Sequence, residues 1–104
     1  MRYKMVYSPM YREQLREINT YNRKNFYSQQ AAARLKEQII NDVARLAQSP
    51  GLGAVYLNSD EEETKYRRLV IKNYSVFYTV DEEERLIKIF YIFDSRRNLD
   101  ALVK

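Results

Sequence analysis

Apolar and polar positions alternate over Tyr3–Tyr7, and this period of two, carried by β-favouring side chains, predicts a first strand. Ser8-Pro9 closes it and opens a helix, because a serine oxygen accepts from the orphan amides of a first turn and proline fits the first helical position. Tyr11, Leu15, Ile18 and Tyr21 follow at helical spacing and form one stripe of a helix ending near Arg23, with Asn22 to Asn25 as the break. Ser28 opens a second, longer helix whose Ala32, Leu35, Ile39, Val43 and Leu46 make a continuous apolar stripe, stopped by Ser49-Pro50-Gly51. Two helices joined this closely predict an antiparallel hairpin.

Gly51 to Thr64 has no sustained periodicity and reads as a mobile loop wrapping an edge. Tyr66–Ile71 and Tyr74–Val80 are rich in β-branched and aromatic residues, and Asn73 tolerates the positive φ that a tight turn between them needs. Asp81 to Glu84 makes the next turn. Leu86–Phe93 is apolar on both faces apart from Lys88 and Tyr91, as a strand in the sheet interior should be. Leu99, Leu102 and Val103 in the tail from Asn98 to Lys104 fit a short helical turn packed back on the sheet. The pattern is α+β: an N-terminal strand, a helical hairpin, then a three-stranded antiparallel meander completing a four-stranded sheet, within a single domain over residues 1–104. Leu35, Ile39, Val76, Ile89 and Ile92 are the expected core.

Composition narrows the chemistry. No apolar run approaches the ~18 residues of a membrane span, and the first residues lack a signal-peptide pattern, so a soluble, cytoplasmic protein is expected, with no membrane partner. Without cysteine there are no disulfides or thiolate chemistry, and without histidine the commonest general base and metal ligand is gone. No metal and no cofactor is expected. The acid tetrads at 60–63 and 81–84 lack the alternating spacing and central glycine of a calcium loop and read as solubilising turns. Apart from those tetrads, six acids face 18 bases, a body that attracts polyanions or an acidic protein segment.

The cations that matter most are the pairs Arg67-Arg68 and Arg96-Arg97. Neighbouring strand side chains point to opposite faces, so only one of Arg67 and Arg68 faces the open surface. Arg97, just past a buried strand, is placed to fork onto a phosphate or carboxylate. The alternative is that these arginines pair with the tetrads, Asp94 or Asp100, where exposed pairs contribute little. The series Arg12, Arg16, Arg23 and Arg34 is either an exposed face or a seat for an acidic partner helix. Of ten tyrosines, Tyr66, Tyr74, Tyr78 and Tyr91 fall in the sheet, where packing at the core edge competes with stacking on a base or donating a phenolic proton. Arg96, Arg97, Arg67, Arg68, Lys72, Tyr74, Tyr78 and Tyr91 form the candidate target-binding set.

Five segments in order resemble the RelE/ParE superfamily of bacterial type II toxins: Tyr7-Ser8-Pro9, the hairpin end at 46–51, Tyr66-Arg67-Arg68-Leu69-Val70, the 73–78 strand and Ser95-Arg96-Arg97-Asn98-Leu99. The resemblance implies a growth-inhibiting toxin neutralised by a cognate antitoxin whose C-terminal segment, expected to be acidic, wraps the toxin body. RelE-like members cleave mRNA in the ribosomal A site, which would make Arg97, Arg68 and Arg67 catalytic in an endoribonuclease. Ser75, however, stands where such members have a third-strand arginine, and the tail after Tyr91 has no tyrosine or histidine to donate a proton. ParE-like members poison DNA gyrase without a catalytic set and accommodate both departures. The implied target is therefore DNA gyrase, with the ribosome and its mRNA as the alternative, and a degenerate antitoxin-binding module without toxicity as a third. Inducing the chain alone is expected to stop DNA synthesis before protein synthesis, measured by pulse-labelling; the opposite order identifies the ribosome.

Overall fold

A computed structural model describes residues 2–25 and 28–103, so Lys104 of the expected tail lies outside the described residues, as do residues 1 and 26–27. In chain order the elements are strand β1 (Lys4–Tyr7), helices α1 (Pro9–Asn25) and α2 (Gln29–Ala44), 3-10 turns at Arg45–Ala47 and Pro50–Leu52, strands β2 (Ala54–Leu57), β3 (Glu63–Ile71), β4 (Tyr74–Asp81) and β5 (Leu86–Asp94), and the short helix α3 (Leu99–Leu102). The strands form one sheet in the order β1-β5-β4-β3-β2, with β1 parallel to β5 and every other pair antiparallel.

Both expected helix starts are present. The Ser8 hydroxyl accepts from the Tyr11 amide (3.0 Å) and also donates to the Phe90 carbonyl (2.7 Å), tying α1 to β5. Ser28 caps α2 by accepting from the Ala31 amide at 3.0 Å. α1 runs past Arg23 to Asn25, and its buried stripe ends on Asn22 rather than on Tyr21, which is 64% exposed. An α-helix returns to the face of Tyr11, Leu15 and Ile18 at position 22, so geometry outranks hydropathy there. The buried Asn22 amide is satisfied by donating to the Tyr74 hydroxyl at 3.3 Å.

The sheet has five strands rather than four. Within the segment read as a mobile loop, Ala54–Leu57 pairs with β3, supported by Thr64 Oγ1 donating to the Tyr56 carbonyl (2.8 Å). The following turn is closed by Asn58, whose side-chain oxygen accepts from the Asp60 and Glu62 amides. Four residues between a glycine and an acid tetrad are too short for periodicity to reveal. The β3–β4 turn also differs: Lys72, not Asn73, carries the positive φ (55°).

A bulge in β5 divides the core. Phe77 opposes Tyr91 while Tyr78 opposes Ile89, so Phe90 is the extra residue. The change of phase sends Ile87, Ile89 and Ile92 into the core under the helices, while Phe90, Tyr91 and Phe93 join Tyr66 and Phe77 in a second cluster closed by Leu99 of α3. Of the expected core, Ile39, Val76, Ile89 and Ile92 are buried and Leu35 is half-buried.

Gly53 sits where no side chain fits: a Cβ there would lie 2.7 Å from the Arg68 carbonyl oxygen and from the Tyr78 hydroxyl. Gly53→Ala is expected to destabilise the fold by about 1–3 kcal/mol, read by urea denaturation. Gly51→Ala, whose Cβ would meet only an Arg67 nitrogen at 3.9 Å, is expected to change stability by less than about 1 kcal/mol.

Candidate functional site

The two arginines of β3 face opposite sides of the sheet. Arg67 opposes Tyr78 and Arg68 opposes Phe77. Each is held by an internal hydrogen bond through its Nε–H: Arg67 donates to the Gly53 carbonyl and Arg68 to the Ser75 hydroxyl, both at 2.8 Å. Ser75 is fully buried and shares a 2.7 Å hydrogen bond with Ser95, so the position where a third-strand arginine would stand holds a small polar link. Both guanidinium groups are therefore oriented by the scaffold.

Beyond the end of β5 the chain turns on Asp94. Its Oδ1 accepts from the Arg96 amide (2.9 Å) and Nε–H (3.0 Å), and its Oδ2 accepts from Nη2 at 2.7 Å. These hydrogen bonds from Arg96, with the nearby charges of Arg96 and Arg97, hold the Asp94 carboxyl down at about 2. Arg97 lies over the Phe93 ring, 5.5 Å from its centroid, and has no ion pair among the described residues. Arg96 and Arg97 border a groove of about 310 Å³ whose other walls include Gln14, Glu17, Tyr21 and Tyr74.

Of the sequence-predicted set, the groove brings together Arg96, Arg97 and Tyr74. Lys72 sits at the neighbouring β3–β4 turn. Tyr91 is half-buried on the other face beside Tyr66. Tyr78 does not join them: it is fully buried, its hydroxyl donating to the Pro50 carbonyl (2.7 Å) and accepting from the Gly53 amide (2.9 Å), which leaves nothing for a partner to touch. The expectation of an amphipathic tyrosine at the core edge fails here because the 50–53 segment folds over its hydroxyl. Gln14 and Glu17 are absent from the sequence-predicted set and Tyr21 is placed there on the apolar stripe, although the spacing of three and four among these residues traces a second, polar stripe of α1 along the core stripe.

Three phenols outside the groove are poor bases. Burial, reinforced by hydrogen bonds to Asp100 and Tyr91 respectively, pushes Tyr56 and Tyr66 up to about 12, and burial raises Tyr11 further. Such groups stay protonated and can donate but not abstract. Among the described residues no three carboxylates gather where a cation could sit. The arrangement is suited to gripping an anionic or hydrogen-bonding surface with oriented guanidinium groups.

With this geometry in hand, likeness to known proteins is informative. A chain of the chromosomal ParDE TA system from P. aeruginosa superposes with a TM-score of 0.70 at 18% identity, over 88% of this chain and 95% of that one. A chain of the intact E. coli RelBE toxin-antitoxin complex gives 0.60 at 14% identity, over 91% and 99%. A chain of the YoeB dimer from Staphylococcus aureus gives 0.51 at 18%, over 88% and 94%. These likenesses establish the fold, and no curated protein sequence matches the chain. The family model described as the ParE toxin of type II toxin-antitoxin system, parDE, matches residues 5–99, and the chain belongs to that family of toxins, within the RelE/ParE superfamily.

Proposed function

We propose that this toxin acts by contact, poisoning DNA gyrase, and that a cognate antitoxin with an acidic C-terminal segment neutralises it. The observation that carries the reading is the commitment of β3: Arg67 and Arg68 are tied to Gly53 and Ser75, and Ser75 fills the centre of the sheet where a ribonuclease of this superfamily would carry a cation. Phosphoryl-transfer chemistry on RNA needs charge stabilisation at the reacting phosphate and a proton acceptor. The chain has no histidine, and the Nε–H groups of Arg67 and Arg68 are already committed to the fold and not free for a reacting phosphate. The family match favours the same direction.

The working residues in this reading are Arg96, Arg97, Tyr74 and the groove wall of α1, with Lys72 beside them. Arg68 and Tyr91 border the other face, and Arg67 serves as scaffold. The antitoxin follows from family membership, and the basic surface suits an acidic segment.

Two predictions follow from this division of labour. Added to purified gyrase, the toxin is expected to inhibit supercoiling and to accumulate cleaved DNA, with Arg97→Ala weakening inhibition roughly tenfold or more, as loss of an interface arginine does. Unchanged gyrase activity at excess toxin, with A-site cuts in translated mRNA by primer extension, would transfer the function to the ribosome. Arg67→Ala is expected instead to lower thermal stability by removing the Gly53 bond, at about 1–3 kcal/mol, while inhibition by the protein that remains folded changes less than twofold.

A further inference from the structure

The sheet separates charge along its strands. The acid tetrads at 60–63 and 81–84 occupy the β2–β3 and β4–β5 connections, which the antiparallel pairing of β3, β4 and β5 puts at one end. At the opposite end lie the β3–β4 turn with Lys72, and Arg96 and Arg97 after β5. The hairpin adds to that end. α1 delivers its last turn, with Arg23 and Lys24, just beyond the Asn22–Tyr74 contact, and α2 brings Arg34 beside Lys72. Of these six cations only Arg96 has an acid in ion-pairing contact among the described residues.

Two depressions flank the turn. One is the groove at Arg96 and Arg97; the other, of about 410 Å³, is lined by Arg34, Lys72, Gln38 and Asn73 over Ala31 and Leu35. Tyr74, next in chain to Asn73, lines the first, so the depressions adjoin and present four cations and several amide donors along one edge.

We infer that this end is a docking surface for the phosphate backbone of duplex DNA, independent of gyrase and of sequence. Asp94, paired with Arg96, and Glu17 offset part of this charge. Arg97, Lys72, Arg34, Arg23 and Lys24 have no ion pair among the described residues and outnumber them, so this end attracts a polyanion and the distant acid end orients the approach. Guanidinium forks and side-chain amides are the donors that phosphate contacts use. Among the described residues Tyr21 is the one large ring exposed at this end; Phe93 and Tyr74, which also line the groove, are buried, and the rest of the second core's aromatic cluster lies on the other face, under α3. A single strand would need several stacking rings, so the surface suits a duplex. An acidic protein segment would need clustered apolar anchors, whereas the exposed apolar side chains nearest this end, Val70 on β3 and Ile40 on α2, stand singly, and Val6, Met10, Leu52, Val55 and Leu57 belong to the β1 and β2 margins.

The test is fluorescence anisotropy of the purified chain with a random-sequence duplex and no gyrase, over a salt series. Four phosphate contacts give a log affinity against log salt slope of about −3.6, and roughly a hundredfold loss between about 50 and 200 mM salt. Arg34→Gln, Lys72→Asn and Arg97→Gln are each expected to reduce the slope by about 0.9 and the affinity several-fold. Lys4→Gln and Lys88→Gln remove the same charge elsewhere and are expected to leave the slope unchanged, with circular dichroism verifying that all five variants fold. The inference is overturned by absence of binding at the lowest salt, by equal losses in all five variants, by tighter binding of a single strand of the same length, or by polyglutamate displacing the duplex at equal charge concentration. Because gyrase is absent, failure here leaves the gyrase reading standing, and failure of gyrase inhibition leaves this one standing.

Discussion

The fully buried hydroxyl of Tyr78 is the interaction on which the far side of the sheet depends. It donates to the Pro50 carbonyl and accepts from the Gly53 amide, so one phenol holds both ends of the 50–53 segment. A buried hydrogen bond contributes only about 1 kcal/mol net, but leaving its partners unmatched costs about 1–3 kcal/mol each. The segment therefore stays against β4, β2 begins in register with β3, and the Gly53 carbonyl is presented to Arg67. Absence of a Cβ at Gly53 is the steric condition for all of this. A fifth strand thus follows from a polar contact inside the core.

The same economy governs the arginines. Two of the conspicuous ones, Arg67 and Arg68, are tied to the scaffold through Nε; a third, Arg96, is forked onto Asp94. Arg97 stacks on Phe93, leaving its donors to a partner. Among the described residues Lys72 and Arg34 have no ion pair, and they face each other beside the β3–β4 turn. The working surface we propose therefore lies at the end of the sheet, away from β3. A rigid surface whose cations are partly oriented binds with less entropy to lose than a set of free side chains. Such a surface suits the contact inhibition proposed above.

Elements with a full period were legible in the sequence: both long helices, their serine caps and the three-strand meander are present, although α1 runs through the expected break from Asn22 to Asn25 and α2, expected to be the longer helix, stops at Ala44 and leaves Leu46 to a 3-10 turn. The family resemblance rested on the same segments and agrees with the family match over residues 5–99. Short or compensated features were not legible. β2 has four residues, Asn22 hides a core position under a polar side chain, and Lys72 takes a backbone conformation that Asn73 would accept more readily. For the site, strand alternation correctly separated Arg67 from Arg68, but it could not reveal that Tyr78 is sealed by a segment more than twenty residues away in the chain. The groove wall of α1 was written in the spacing of Gln14, Glu17 and Tyr21, yet only the packing of α1 on β5 gives that stripe its meaning.

The account turns on which arginines are committed to the fold and which are free. Side-chain Nε–H signals in a proton–nitrogen spectrum, followed by their exchange with solvent, measure that directly. Slow exchange at Arg67, Arg68 and Arg96 beside fast exchange at Arg97 and Arg34 is the predicted result. Exchange at Arg67 and Arg68 as fast as at Arg97 would contradict it, because the β3 arginines would then be free and the case for a contact surface centred on the far end of the sheet would fail.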